Sequence, residues 1–322
     1  MAPIVRGSEV QYRFKKVTAV EETPSGGDYQ SFHAYSETFQ PGEGLVDDDE
    51  LGGARHNAID PTQQVSDLPN PSGGMQVALD LNQIGFWLTS MWGAPTTDNA
   101  DDPVYEHVWE SGGDTPELVT IEVPFASAFV KAVDAHCVSQ MNINFAPEGG
   151  IRRVDMTMVG RSVRRLAAAL SATTTAAPAR DKMSGWAGLV KINGTNFGNV
   201  LGGQVQMGNG AFAERYLNDT EWPSGIEIGR PSFQATPQIR VRSDAAGMLD
   251  LFDGVTPFTF ELLFQKTADK LLRFYCPNVV APKVLPSAAQ IGGLDVSPTF
   301  MASQTDAAPM LTVTARNAVA AY

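Results

Sequence analysis

Histidine is the side chain best suited to acid–base catalysis and metal binding near neutral pH, and the chain has four. His33, His56, His107 and His136 show no HxxxH or HExxH spacing, and neither a G-x-S-x-G elbow nor a phosphate-cradling loop occurs. Acid pairs suited to glycoside hydrolysis occur in any acidic chain and mean little without their spatial separation. We therefore expect surface or hydrogen-bonded strand histidines, no catalytic residue and no enzyme.

The two cysteines, Cys137 and Cys276, are far apart and belong to no CxxC motif. Neither has a histidine nearby at metal-ligand spacing. Buried, reduced thiols are the favoured interpretation, with a disulfide or a reactive cysteine as alternatives. We expect no cofactor and no metal.

A run of four acids, Asp47, Asp48, Asp49 and Glu50, lies in a stretch rich in glycine and proline over residues 40–74. The stretch is too long for an ordinary connection, and long loops usually have a function. A cation site is one interpretation, but the run lacks the alternation and the central glycine of a calcium loop. We expect an acidic loop that faces solvent or a partner.

Arginines form the only basic cluster in the chain: Arg152, Arg153, Arg161, Arg164 and Arg165. They could be a solvated edge that discourages wrong strand pairing. Alternatively, they could complement the acidic loop of another subunit. Both interpretations stay open on charge alone; in the second, Arg152 and Arg153 would face Asp47, Asp48, Asp49 and Glu50.

The formal net charge of −13 is concentrated in one segment, because residues 39–122 hold 16 acids and a single base, Arg55. Tight binding to nucleic acid needs clustered lysine and arginine. The charge therefore argues against a protein that reads DNA sequence. No apolar run is long enough to cross a bilayer and no leader pattern opens the chain, so we expect a soluble protein that is not secreted.

The elements around these residues are mostly strands, as 30 glycines and 21 prolines in 322 residues indicate. Period-two patterns predict strands over residues 75–81, 104–109 and 118–123, and a helix over residues 84–92. Residues 96–103 have no apolar anchor and are predicted to be a loop, whereas residues 125–133 could be a helix or an extended connection. A hairpin is predicted for residues 138–145 and 151–159.

The second half repeats this order of elements, which predicts two related domains in tandem. Strands are expected at 189–193, 201–208 and 234–242, a loop at 218–229, a helix at 243–252, and a hairpin from 258–264 to 271–275. The predicted boundaries are an N-terminal domain over residues 1–167, a linker over 168–185 and a C-terminal domain over 186–322.

Four pieces of the first half resemble the tail tube proteins of long-tailed bacteriophages, in the order of that family. They are SGG at 72–74, WLTSMWG at 87–93, YEHVW at 105–109 and PELVTIE at 116–122. Four later pieces are similar to the family's later segments: GLVKING at 188–194, YCPNV at 275–279, PTFMA at 298–302 and LTVTARN at 311–317.

The resemblance implies an all-β structural protein with short helices, whose tail-tube-type β-sandwich or barrel domains pool strands into a ring wall. Two tandem domains per chain imply a homotrimeric, pseudo-sixfold ring, and rings that stack into the tube of a non-contractile tail. For such a stack our preferred hypothesis is a contact between rings in which Arg152 and Arg153 face the acidic run Asp47 to Glu50. The resemblance also implies a tape measure protein, distal tail proteins and a tail terminator protein as partners, assembly in the host cytoplasm, and transient passage of DNA.

A carbohydrate-binding β-sandwich is the alternative from another class. Its stacking platforms would be tryptophans: Trp87, Trp92, Trp109, Trp186 and Trp222. Trp87 and Trp92 belong to an apolar segment, where core packing is the simpler interpretation.

Overall fold

The computed structural model describes residues 7, 10–20, 26–47, 64–101, 103–125, 129–217, 220–241, 252, 254, 256–285 and 293–322. The described residues form 23 strands and one α-helix, which confirms an all-β fold. In chain order the elements are β1 Tyr12–Val17, β2 Asp28–Phe32, β3 Ala34–Glu37, β4 Leu45–Asp47, β5 Gln64–Ser66, β6 Ser72–Ala78, α1 Ile84–Trp92, β7 Thr96–Asp101, β8 Val104–Glu110, β9 Leu118–Phe125, β10 Phe129–Asn144, β11 Arg153–Leu166, β12 Thr173–Thr175, β13 Leu189–Ile192, β14 Thr195–Asn196, β15 Val200–Gly208, β16 Phe212–Glu214, β17 Gly225–Glu227, β18 Ser232–Arg240, β19 Phe258–Thr267, β20 Lys270–Val280, β21 Asp295–Val296, β22 Phe300–Ala302 and β23 Thr312–Asn317.

Strand pairing follows the same order in the two halves of the chain. In the first half the neighbours are β1, β9, β10, β11, β6 and β3, all antiparallel. In the second half they are β13, β19, β20, β22, β18 and β15, also all antiparallel. If the six strands of each set are numbered by their order along the chain, both sets pair in the order first, fourth, fifth, sixth, third and second. Corresponding strands therefore occupy corresponding places in the two halves.

Two strand pairs join the halves into one branched sheet. β15 pairs with the end of β10, from Gln140 to Asn144. β23 pairs with β20 on one side and with β8 on the other. Among the described strands the pairings never return to their starting strand, so no barrel closes.

The helix α1 is short and almost wholly buried, and its apolar residues pack under the sheet. Gly93 ends it with a φ of +86°, a conformation that glycine adopts without steric cost, and its N–H donates to the Thr89 carbonyl. Buried side chains from both halves form one contiguous cluster. Within the described residues, no helix is long and apolar enough to cross a membrane.

Most predicted strands and the hairpins are confirmed, and the exceptions share a cause. Residues 96–101, predicted to be a loop, form β7, and β17 lies inside the predicted loop 218–229. Residues 129–133, where periodicity did not decide, belong to β10. Both β7 and β17 have a partner on one side only among the described strands, and such an edge strand needs no apolar face because its partner supplies the backbone hydrogen bonds.

The predicted linker contains a short strand, β12, which pairs in parallel with β2. The predicted helix at 243–252 lies outside the described residues except for Phe252, which is buried against Phe300 with 5.7 Å between the ring centroids.

Candidate assembly surfaces

The predicted acidic loop contains a two-stranded ribbon, β4 with β5, that forms a separate sheet. Its apolar side chains point outward: Leu45 is 67% exposed, Val65 50% and Val46 46%. An isolated two-stranded hairpin is at best marginally stable in water, so this ribbon gains from a further protein surface. We call residues 42–70 the first arm.

Of the four acids predicted in this arm, the structure describes Asp47. It is exposed at the end of β4, and its carboxylate accepts a hydrogen bond from Gln64 Nε2 at 2.8 Å. Asp48, Asp49 and Glu50 lie outside the described residues. At the base of the arm, Asn70 N donates to Gly42 O at 3.1 Å, and Gly42 has a φ of +67°.

The second half carries a matching ribbon, β16 with β17, between its second and third strands, as β4 and β5 lie between β3 and β6. We call residues 212–227 the second arm. Leu217 and Tyr216 are exposed there, at 107% and 58%, and Phe212 is half exposed. Arg215 of this arm donates to Glu221 O at 2.6 Å and to Pro69 O, at the base of the first arm. The two arms therefore lie together.

Arg152, predicted to face another ring, is fully buried within its own chain. Its guanidinium donates to the carbonyls of Asn144 and Gly185 and, at 3.0 Å, to that of Ala187, and it lies 5.4 Å from the centre of the Phe264 ring. Burial lowers the pKa of Arg152. Hydrogen bonds from Arg152 therefore connect the end of β10 to the start of the second half.

A signal for this burial was present in the sequence. In a strand, residues two apart share a face, and Arg152 has the same parity as Val154, Met156 and Met158, which are all buried. Charge alone does not distinguish Arg152 from Arg153, so the prediction that both face another subunit was wrong for Arg152. Arg153 has the other parity and is exposed.

Arg153 is part of a small basic surface around Tyr35. Its guanidinium carbon lies 4.4 Å from the centre of the Tyr35 ring, and its Nη1 donates to Gln76 Oε1 at 2.9 Å. Lys182 Nζ lies 5.8 Å from the same ring. The structure thus brings Arg153 together with Lys182, a residue that the sequence analysis did not single out.

The other clustered arginines have partners within the chain. Arg164 Nε lies 2.5 Å from Asp134 Oδ2, and this contact raises the Arg164 pKa. Arg165 lies over the Phe129 ring at 5.0 Å, and Arg161 donates to Val20 O at 3.4 Å. These contacts leave Arg153, which is exposed, and Lys182, which is half-buried, as the basic pair around Tyr35.

The features that chemistry would need are buried or already partnered where the structure describes them. Asp80 borders a cavity of about 200 Å³ with His33, and burial raises its pKa. Both carboxylate oxygens of Asp80, however, accept backbone N–H groups, from Asn82 and Asp181 at 3.0 Å each. Across the described residues no group of three or more His, Cys, Asp or Glu is placed to hold a metal.

Both cysteines are free and buried, as the favoured interpretation predicted, and burial raises the Cys137 pKa to about 12. Three of the five tryptophans proposed as glycan platforms are buried, namely Trp87, Trp92 and Trp109. Trp186, 75% exposed, remains a free platform. A single exposed ring is a poor basis for a glycan-binding face.

The described part of the chain is all-β, with two arms that expose apolar side chains and with strand edges that have no strand partner, features typical of proteins that associate with further protein surfaces. The chain matches the family model described as phage tail tube protein over residues 7–310, and it belongs to that family. No curated protein matches it. Membership makes the chain a structural component of the virion, of the kind that self-assembles into the tail tube.

Proposed function

We propose that three copies of this chain form a closed, pseudo-sixfold ring, and that the rings stack into the tube of a long, non-contractile tail through which DNA leaves the particle. The observation that carries the proposal is the repeated pairing order of the two halves. Two copies of one strand arrangement per chain give six per trimer. Closed symmetric rings are a common way to remove exposed strand edges.

This proposal treats residues 1–167 and 186–322 as tandem tail-tube domains. Within the chain the two sets of strands are already neighbours, because β15 adds to β10. Repeating that contact between chains would make every domain in the ring equivalent to the next. We further propose that the tube assembles in the host cytoplasm and that its partners there are a tape measure protein, distal tail proteins and a tail terminator protein.

The charge of the chain suits a tube that conducts DNA. For six to ten phosphate contacts, the affinity for DNA falls by about 10³ to 10⁵ as the salt concentration rises over a moderate range, which shows how much of the binding such contacts supply. A lumen with that many lysine or arginine contacts would therefore hold DNA tightly. With a net charge of −13, a largely acidic or neutral lining lets DNA slide.

Negative-stain electron microscopy of the purified chain, over a range of protein and salt concentrations, tests this function. We expect rings or tubes with a central hole and threefold symmetry in class averages. Light scattering should give three times the chain mass of 34.5 kDa for single rings. Compact monomers at every concentration, or sixfold rings of six chains, would contradict the trimer, and binding to a glycan array would favour the alternative class.

For ring stacking, we propose that the acidic run of the first arm, Asp47 to Glu50, contacts the basic pair around Tyr35, the exposed Arg153 and the half-buried Lys182, of the next ring. Arg152 is omitted because it is buried. Replacing Arg153 and Lys182 by Gln should shorten tubes while leaving single rings intact, and the deficit should be largest at low salt, where exposed charges are least screened. Replacing Arg230, another exposed arginine, by Gln is the control; equal tube lengths in all three proteins would refute this contact.

A further inference from the structure

The repeated pairing order predicts one contact more sharply than the ring itself. Within the chain, the second strand of the second half, β15, pairs with the end of β10, the fifth strand of the first half. The corresponding donor in the first half is β3, and the corresponding acceptor is the segment that follows β20, residues 281–285. We infer that the edge of β3 of a second copy pairs antiparallel with residues 281–285, which rests on the ring proposed above.

Both partners have an edge without a strand partner in the described part of the chain. Just past β3, Phe39 N donates to Glu37 Oε2 at 3.0 Å and Phe39 O accepts from Lys131 Nζ at 3.2 Å, and an incoming strand would replace these two side-chain contacts. β3 pairs with β6, and no described strand lies on its other side. β19 runs beside β20 as far as the pair Phe258 and Val279, and residues 281–285 extend past it without a strand partner on that side. In the first half, the equivalent stretch of β10 is the one that β15 covers.

The register of this contact follows from aligning β6 with β18, the third strand of each half, from their first residues. Ser72 then matches Ser232. Their partners match as well: Gln40 lies opposite Ser72, and Gly208 lies opposite Ser232. Gln40 of the first half therefore takes the place of Gly208.

The acceptor aligns through the same strands. Met75 and Ala235 correspond, and they lie opposite Met156 and Phe300. Met156 in turn lies opposite Met141 of β10. In the second half, the residue that corresponds to Met141 is therefore the one opposite Phe300 in the segment that follows β20. Because Val280 pairs with Met301, that residue is Ala281.

Within the chain, Gln140 pairs with Gly208 and Asn144 with Gln204. The same contact between chains places Gln40 of the second copy opposite Val280, and Ser36 of the second copy opposite Val284. In the same register, the next pair is Glu37 of the second copy opposite Lys283. Backbone correspondence alone thus brings an acidic side chain opposite a basic one.

Glu37 is placed to accept a second cation. Its carboxylate lies 2.7 Å from Lys131 Nζ, and the Glu37 side chain is 11% exposed. Lys283, in contrast, is an exposed side chain. Bringing Lys283 of one copy beside Glu37 of another would add a cation to a shielded carboxylate, where attraction is stronger than at an open surface.

An exposed apolar side chain at the acceptor segment corresponds to a covered one in the first half. Phe145 continues β10, and only 6% of it is exposed because Gly203 of β15 lies against it: a β-carbon on Gly203 would be 2.5 Å from Phe145 Cζ. The corresponding residue after β20 is Leu285, which is 70% exposed. The start of β3 of a second copy would cover Leu285 as β15 covers Phe145.

Gly254 lies beside the acceptor edge in the single chain. A β-carbon built on Gly254 would lie 3.6 Å from Lys283 N, yet among the described backbone hydrogen bonds none joins Gly254 to residues 281–283. The edge is thus screened by a glycine and not paired with a strand. An incoming β3 displaces Gly254 to form its backbone hydrogen bonds.

Cysteine crosslinking in assembled rings tests the register. Facing residues of antiparallel strands have Cα atoms about 4.5–5.5 Å apart, which suits a disulfide. The variant Ser36→Cys with Val284→Cys should give covalent dimers and trimers on a non-reducing gel. The matched control, Ser36→Cys with Lys270→Cys, has its second cysteine at the far end of β20 and should stay monomeric; the native Cys137 and Cys276 are buried in both.

The outcome separates this contact from the ring itself, because the same samples are imaged by electron microscopy. Rings with a crosslink at 36 and 284 only would support the register. Rings without it, or with equal crosslinking of the control, would overturn the contact and leave the ring standing. If the unmodified chain forms no rings, the proposed function fails and this inference fails with it.

A second variant avoids new cysteines. Lys283→Gln removes a charge from an exposed side chain, so folding should be unaffected, while the protein concentration needed for rings should rise several-fold. Arg230→Gln, which also removes a positive charge from an exposed side chain, is the matched control. Equal ring formation by the two variants would refute the pairing of Lys283 with Glu37.

Discussion

At the scale of single residues, the buried guanidinium of Arg152 shows how a charge can have a structural role. Its N–H groups donate to the carbonyl of Asn144, at the end of β10, and to those of Gly185 and Ala187. An uncharged replacement would leave those acceptors without donors in a region closed to water. Arg152 therefore stabilises the junction between the halves and is no surface ligand.

We predict that Arg152→Met lowers the free energy of unfolding by about 3 kcal/mol, since each buried acceptor left unsatisfied costs roughly 1–3 kcal/mol. Arg153→Met is the control, and it should cost no more than about 1 kcal/mol because its contacts are exposed. Guanidinium denaturation of the two variants measures the difference. Equal midpoints would mean that the burial of Arg152 is energetically unimportant.

His136 makes stability depend on pH. It is fully buried, desolvation lowers its pKa to about 4, and its Nδ1 donates to Asp134 O at 2.9 Å. The unfolded chain has the ordinary histidine pKa of about 6.5, so it binds the proton more readily than the folded chain does. The stabilisation is complete above pH 6.5 and is lost as the pH falls toward 4.

We expect this group alone to reduce the free energy of unfolding by up to about 1.4 kcal/mol per pH unit within that window. The test compares the native chain with His136→Leu by denaturation at pH 7, 5.5 and 4.5. The variant should be less sensitive to acid, whereas His33→Leu, which alters an exposed histidine whose pKa burial also lowers, should change the slope by less. Identical slopes in the native chain and His136→Leu would contradict the assignment.

At the scale of elements, the helix α1 depends on a close contact at Gly85. A β-carbon there would lie 2.3 Å from Cζ of the Tyr322 ring, which is half-buried against the core and donates from its hydroxyl to Leu81 O at 3.4 Å. Glycine is normally the weaker helix former, so Gly→Ala in an open helix stabilises by about 1 kcal/mol. At Gly85 the steric clash outweighs that propensity.

We predict that Gly85→Ala destabilises the chain by roughly 1–3 kcal/mol, the usual range for an overpacked core. In a Tyr322→Ala background the same change should become neutral or stabilising, because the ring is gone. A double-mutant cycle from thermal or chemical unfolding measures this reversal. The same loss in both backgrounds would show that some other feature restricts Gly85.

Elements with a buried face were predictable, and elements defined by distant partners were not. The helix at 84–92 and the hairpin of β10 with β11 follow from apolar periodicity within short windows. β7 was missed because its residues are polar on both faces and only its pairing with β8 makes it a strand. The pairing of β8 with β23 joins residues about 200 positions apart, and local pattern carries no information on such a contact.

The candidate surfaces divide in the same way. The position of the acidic arm followed from glycine, proline and charge in its sequence. Burial of Arg152 could have been inferred from strand parity, but the grouping of Arg153 with Lys182 around Tyr35 depends on how residues far apart in sequence meet. Surface clusters of this kind are a product of topology.

At the scale of the whole molecule, the two halves share strands, so neither is expected to be stable alone. A fragment of residues 1–167 would lose β15 from the edge of β10 and β23 from the edge of β8. Exposed strand edges promote aggregation. We predict that this fragment is insoluble or melts well below the intact chain.

Co-expression with residues 186–322 should restore solubility by supplying both strands. The control is the intact chain cleaved at a protease site inserted within 168–185, which should hold together. Size-exclusion chromatography and thermal unfolding give the readout. A monomeric fragment 1–167 as stable as the whole chain would show that the shared strands contribute little.

The pairing of β8 with β23 also sets the timing of folding during translation. Trp109 lies opposite Val313, so the ribosome must add about 200 residues after β8 before its partner exists. At roughly 5–20 residues per second this takes about 10 to 40 s, during which the nascent chain presents an unsatisfied strand edge. Slow completion of long-range sheets exposes a chain to misassembly, so we expect folding in the cell to depend on chaperones that shield β8 until β23 emerges.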